Sequence, residues 1–133
     1  MITKINHIGI AVNSIEDMIK LYTEGLGLTV KDIEIVEEQK VRIAIIPVGE
    51  SKIELLESTD PEGQIARFIE KRGEGMHHLA LEVNDIQGTL ETMEKKGVQL
   101  IDSEPRAGVE GTSIAFLHPK ESRVLIELVE TKK

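Results

Sequence analysis

Cysteine and tryptophan are both absent from this chain of 133 residues. Without cysteine there is no disulfide, no thiolate nucleophile and no thiolate ligand for a metal, which fits a reducing compartment. Aromatic residues make up only 2% of the chain, so the stacking platforms that bind single-stranded nucleic acid are missing. These absences leave histidine and carboxylate side chains as the candidates for metal binding.

Basic residues are also in deficit, with 16 Lys and Arg against 24 Asp and Glu and a net charge of -8. No basic patch is visible, so we expect neither nucleic acid nor a membrane surface as a partner. No run of 18 apolar residues occurs, and the first residues lack the regions of a signal peptide. A cytoplasmic protein of one domain is therefore expected.

The chain is internally repeated. Residues 7–15 align with residues 78–86 at an offset of 71, and residues 53–57 align with 126–130 at an offset of 73. Each half reads as one strand, one amphipathic helix and three further strands. The sequence therefore predicts an α+β fold of two tandem βαβββ modules, with repeats at about 3–57 and 75–130 and a connector helix at about 60–73.

Helix start signals recur in the two halves. Ser14 and Asp85 each precede an amphipathic segment and are suitable N-caps. Glycines then end the segments, because they accept the left-handed conformation that often terminates a helix. We predict one helix in each module.

Four side chains share a distinctive position. Because side chains alternate along a strand, His7 projects away from the apolar face formed by its neighbours, and His78 does the same in the second half. The same alternation places Glu54 and Glu127 on the non-helical face of their modules. The sequence thus predicts two histidines and two glutamates on the face opposite the helices.

A single histidine or glutamate on a strand is usually only a residue on a solvated face. Here the same residue types recur at equivalent places in both halves, which favours a site. Two imidazoles and two carboxylates suit a borderline divalent ion such as cobalt, manganese, nickel or zinc. Calcium and structural zinc of the cysteine type fit this donor set poorly.

The chain resembles the vicinal oxygen chelate superfamily, which includes glyoxalases, bleomycin-resistance proteins and dioxygenases, and within it the methylmalonyl-CoA epimerases. The resemblance covers nearly the whole chain and is carried by residues 6–12, 48–57, 73–80, 116–120 and 124–128. It implies one domain over residues 1–133, a U-shaped, curved mixed sheet with a metal-centred cleft, and a homodimer.

The resemblance also implies an activity. Residues matching His7, Glu54, His78 and Glu127 would hold a divalent metal, cobalt first, with manganese, nickel or zinc as alternatives. The substrate would be an acyl-CoA, and (R)- and (S)-methylmalonyl-CoA would interconvert by α-proton abstraction through a metal-stabilised enolate. Glu127 would also act as one acid/base, because it could loosen its coordination when substrate binds.

The second proton carrier is left open. Some relatives have a glutamate on the third strand, where this chain has Arg42. Glu54, a bound water or a residue of the loop 106–111 could act on the opposite face of the substrate. The candidate cations for the coenzyme A phosphates are Lys52, Arg42, Arg106 and Lys120.

Two other functions compete. A lactoylglutathione lyase of the glyoxalase I type would share the fold and the metal, but such enzymes tend to have an Asp-Pro-Asp-Gly turn where this chain has His118-Pro119-Lys120. A metal-free protein that sequesters a ligand usually lacks the full ligand set and lines its cleft with aromatic residues. The complete set of four ligands favours an enzyme over a binding protein, and the His118-Pro119-Lys120 segment fits the epimerases better than the glyoxalases.

Overall fold

A computed structural model describes residues 1–131, apart from the side chains of Glu110 and Glu121. The strands are β1 (Ile2–Ala11), β2 (Asp32–Val36), β3 (Val41–Val48), β4 (Ser51–Ser58), β5 (Gly75–Val83), β6 (Arg106–Ala107), β7 (Ser113–Leu117) and β8 (Leu125–Glu130). The helices are α1 (Ile15–Lys20), α2 (Gln64–Arg72), α3 (Ile86–Lys95) and α4 (Pro119–Ser122). The predicted domain extent of 1–133 includes Lys132 and Lys133, which lie outside the described residues, and the single domain stays a prediction.

The order of elements repeats along the chain. The first module runs β1-α1-β2-β3-β4, and the second runs β5-α3-β6-β7-β8, with α4 inserted before the last strand. Helix α2 stands between the two modules in the chain, inside the interval predicted for a connector helix. The predicted α+β class with two βαβββ modules is confirmed.

By its contacts the chain divides into two compact units. One contains His7–His77, and the other contains Met1–Asn6 together with the chain from His78 onward. The division falls within β1, so this strand contributes to both units. The strand order is β2-β3-β4-β1 in the first unit and β1-β5-β8-β7-β6 in the second.

Each unit contains a mixed sheet. In the first, β1 is parallel to β4, while β2, β3 and β4 form an antiparallel meander. In the second, β5 is parallel to β8, while β6, β7 and β8 are antiparallel. The two strands that carry the predicted ligands are therefore parallel neighbours in both units.

One face of each sheet packs against a helix. In the first unit Val12, Ala44, Ile46 and Leu55 are buried against Ile15 of α1. In the second, Val83, Ala115 and Leu128 are buried against Ile86 and Leu90 of α3. We call the opposite face of each sheet, which carries His7 and Glu54 or His78 and Glu127, the ligand face.

The predicted N-caps are confirmed. Ser14 Oγ accepts the N–H of Asp17 at 3.2 Å, and Asp85 Oδ1 accepts the N–H of Gly88 at 3.1 Å. The first helix is shorter than its apolar pattern suggests, because its α-helical turns end at Lys20 and a π-helical turn, Leu21–Gly25, follows. No helix in the described part of the chain is long and apolar enough to span a bilayer.

Candidate functional site

The first unit brings His7 and Glu54 together. The parallel register of β1 and β4 sets His7 opposite Lys52 and Gly9 opposite Glu54. His7 Nε2 lies 3.5 Å from Glu54 Oε1, and His7 is only 8% exposed. Gly9, opposite Glu54, has no side chain beyond its Cα that could separate the two groups.

Burial keeps this pair from carrying its usual charges. Desolvation, with a smaller effect from the positive charge of Lys52, lowers the pKa of His7 to about 4. Desolvation also raises the pKa of Glu54 to about 7, where Lys52 opposes the shift and the charge of Glu34 adds to it. The imidazole is therefore neutral at pH 7, which is the form that binds metals. A cation beside Glu54 would favour its ionised form, so the pair is chemically suited to a metal ion.

The second unit contains the matching pair. The register of β5 and β8 sets Ala80 opposite Glu127, as Gly9 is set opposite Glu54. His78 Nε2 lies 3.4 Å from Glu127 Oε1, and the two residues are 8% and 9% exposed. All four predicted ligands are thus at least half-buried, and they form two His–Glu pairs of nearly equal geometry.

Each ligand strand carries a second glutamate, which points to the opposite face and accepts a hydrogen bond from a helix. Glu57 lies three residues after Glu54, and its Oε1 accepts the N–H of Ile15 at 2.8 Å. Glu130 lies three residues after Glu127, and its Oε1 accepts the N–H of Ile86 at 2.8 Å. An odd spacing points the two side chains to opposite faces of a strand. Each ligand strand is therefore tied to the first turn of the helix of its own module.

Arg42 does not lie on the ligand face. It pairs with Glu57 across β3 and β4, and its Nη1 lies 2.8 Å from Glu16 Oε2 and 3.5 Å from Glu57 Oε1. The β3 residues that share the ligand face with Glu54 are Val41, Ile43, Ile45 and Pro47. Strand β3 thus supplies no acid or base to this face.

Glu34, which the sequence analysis did not single out, does share this face. It is half-buried on β2 and lies opposite Ile43. Its charge contributes to the raised pKa of Glu54. One feature of the sequence could have indicated Glu34. In Asp32–Val36 carboxylates alternate with isoleucines, so one face of this strand carries Asp32 and Glu34 where a buried face would normally carry apolar side chains.

The second unit presents a different side chain at the corresponding place. The guanidinium carbon of Arg106 lies 5.0 Å from the ring centroid of Phe116, and its Nη2 lies 3.1 Å from Asp102 Oδ2. Phe116 lies opposite Glu127, so the cation borders the ligand face. Glu110 is the carboxylate of the loop 106–111 that was considered as a proton carrier, and its side chain lies outside the described residues.

The remaining histidines have structural positions. The ring of His77 packs edge-on against Phe68 of α2, with centroids 4.9 Å apart. His118 Nδ1 accepts the N–H of Lys120 at 3.1 Å and caps α4. We assign neither of them to the ligand set.

Comparison with known proteins agrees with this architecture. The family model described as Glyoxalase/Bleomycin resistance protein/Dioxygenase superfamily matches residues 6–116. The chain is 43% identical to the uncharacterized protein YqjC of Bacillus subtilis, over 97% of this chain and 93% of that one. It is 34% identical to an ethylmalonyl-CoA/methylmalonyl-CoA epimerase of Cereibacter sphaeroides, over 96% and 98%.

A solved methylmalonyl-CoA epimerase, in complex with methylmalonyl-CoA and NH4+, has the same fold with a TM-score of 0.88. It is 36% identical and the match covers 98% of this chain and 96% of that one. The resemblance inferred from the sequence motifs is thus confirmed. The chain belongs to the glyoxalase/bleomycin resistance protein/dioxygenase superfamily.

Proposed function

We propose that this protein is a metal-dependent epimerase that interconverts (R)- and (S)-methylmalonyl-CoA. The observation that carries the proposal is the pair of buried His–Glu contacts, 3.5 Å and 3.4 Å long, at equivalent positions of the two modules. Relatives named as epimerases of methylmalonyl-CoA or ethylmalonyl-CoA match almost the whole chain, which supports the substrate class.

The proposed metal ligands are His7, Glu54, His78 and Glu127. Neutral imidazoles and carboxylates without any thiolate suit cobalt, manganese, nickel or zinc, and we propose cobalt. The ion would supply a Lewis acid that stabilises negative charge on the substrate oxygens. To identify the metal, the protein is produced in cells grown with each metal in turn, and the metal content of the purified protein is determined.

Glu127 is the proposed acid/base on one side of the substrate. Epimerisation requires that the α-proton leave one face of the α-carbon and that a proton arrive on the other. A carboxylate can do either, if it lies within hydrogen-bond reach of that carbon's proton. Glu127 is 9% exposed and its Oε1 lies 3.4 Å from His78 Nε2, and the proton that it takes from the substrate would exchange with solvent between turnovers.

We also propose a homodimer, which the family resemblance implies. Light scattering at micromolar concentrations should give twice the mass of one chain, 14.8 kDa. A clean monomer at all concentrations would contradict this part of the proposal alone.

The test of the function is loss of the α-proton signal of methylmalonyl-CoA in deuterated buffer. Protein stripped of metal should leave the signal intact, and reloading with cobalt should restore exchange together with conversion of one epimer into the other. Exchange that fails although metal is bound would instead favour the glyoxalase I type of isomerase. Absence of both exchange and metal binding would favour a ligand-sequestering protein.

A further inference from the structure

Strand β2 has an inverted pattern of exposure. Its two isoleucines, Ile33 and Ile35, are 39% and 62% exposed, whereas Glu34 between them is half-buried. A strand normally turns its apolar residues inward and its charges outward, because burying an ionised carboxylate without a partner costs far more than burying an apolar group. The inverted order therefore indicates a functional reason for a carboxylate at position 34, on the ligand face of the sheet.

The register places Glu34 on the ligand face of the first unit. Glu34 lies opposite Ile43 of β3, and the next residue of β3 on that face, Ile45, lies opposite Glu54. Strands β2 and β4 are separated by β3, so their backbones are about 10 Å apart at the usual spacing of about 4.8 Å per strand. The register therefore sets Glu34 and Glu54 on the same face of the sheet, two strands apart.

The charges of the two glutamates interact. The negative charge of Glu34 contributes to the upward shift of the Glu54 pKa. The other carboxylate of β2 that shares this face, Asp32, is exposed, and its Oδ1 accepts the N–H of Ile33 at 2.8 Å. Of the two carboxylates that β2 places on this face, Glu34 is the more buried.

Epimerisation needs a second proton carrier, and the β3 residues on this face, Val41, Ile43, Ile45 and Pro47, have no side chain that can carry a proton. We propose that Glu34 is the acid/base that serves the face of the substrate opposite to Glu127, an inference that rests on the proposed function. In one direction the α C–H bond breaks. The proton passes to the Glu34 carboxylate, and the electron pair of the broken bond enters the enolate. Protonated Glu127 then gives its proton to the other face and a new C–H bond forms, so that no electrons are gained or lost.

The experiment uses the isosteric variant Glu34→Gln in the metal-loaded protein, with racemic methylmalonyl-CoA in deuterated buffer. Without Glu34, only the epimer whose proton faces Glu127 can exchange. The α-proton signal should therefore fall to one half and stop, whereas the wild type removes it completely. Conversion between the epimers should slow by about 100-fold or more, the usual effect of losing a general acid/base.

Two controls accompany this variant. Asp32→Asn changes the other carboxylate on the same face of β2 and should behave as the wild type. Metal content and melting temperature are measured for both variants, and Glu34→Asp, which keeps a carboxylate, should recover part of the conversion.

Complete loss of the signal at a rate near that of the wild type would overturn the proposal, and so would equal slowing of both epimers. A wild-type protein that exchanges neither epimer would instead refute the proposed function. The half-signal plateau therefore separates failure of this inference from failure of the function on which it rests.

Discussion

Glu34 and Arg106 occupy equivalent positions in the two modules. Each lies on the edge strand of its module, opposite an isoleucine, Ile43 for Glu34 and Ile114 for Arg106. In both modules that isoleucine lies opposite the residue two places after the ligand glutamate. The duplicated fold thus presents a carboxylate in one half and a guanidinium at the matching place in the other.

Arg106→Gln should weaken binding of the anionic acyl-CoA. The guanidinium lies over Phe116 and is 54% exposed, so it is available to a carboxylate or phosphate group. A partly exposed charged contact contributes about 1 kcal/mol, so KM should rise by about fivefold while kcat changes little. Steady-state kinetics test this, with Lys95→Gln on α3 as the control, and an unchanged KM would remove Arg106 from substrate binding.

Glu127→Gln should abolish α-proton exchange for the one epimer whose proton faces Glu127, and should slow conversion between the epimers. The amide cannot take up or release the proton, and a rate at least about 100-fold lower is expected. Because Glu127 is also a proposed ligand, the metal content must be determined in the same sample. Exchange of that epimer at the wild-type rate in a metal-loaded variant would exclude Glu127 as an acid/base.

Loss of either histidine ligand should impair metal binding. His7→Ala and His78→Ala each remove one imidazole from a set of four donors, and we expect the affinity for cobalt to fall by about 100-fold. Competition with a chelator measures this affinity. His118→Ala is the matched control, because that ring only caps α4, and equal losses in all three variants would argue against the assigned ligand set.

Glu57→Ala and Glu130→Ala should each destabilise the protein. Each carboxylate accepts the first N–H of a helix at 2.8 Å, and removing such a cap lowers the free energy of unfolding by about 1–2 kcal/mol. Urea denaturation gives the value. The control is Glu16→Ala, which removes an exposed partner of Arg42 and should change the free energy of unfolding by less than about 0.5 kcal/mol. If Glu57→Ala and Glu130→Ala lowered the free energy of unfolding no more than this control does, the capping contacts would not contribute to stability.

The sequence was sufficient to predict features that depend on local pattern. The alternation of side chains on a strand placed His7 and Glu54 on the face opposite α1, and the structure has them in contact. The caps Ser14 and Asp85 were predictable because each bonds a residue three places ahead.

Features that depend on how the strands pair were not predicted. The position of Glu34 on the ligand face becomes visible only when β2 is set beside β3, because the isoleucines of β2 are the exposed residues. The capping bonds of Glu57 and Glu130 join residues 42 and 44 positions apart, and no local motif announces them. Such contacts depend on the register in which the strands pair, and that register cannot be read from one sequence alone.

The measurement that tests the account most directly is a titration of metal-free protein with cobalt, in which conversion of the methylmalonyl-CoA epimers is followed at each addition. If the two His–Glu pairs together hold one catalytic ion, activity should rise from zero and reach its maximum at one cobalt per chain. Full activity without metal, or a maximum only at two ions per chain, would contradict that claim.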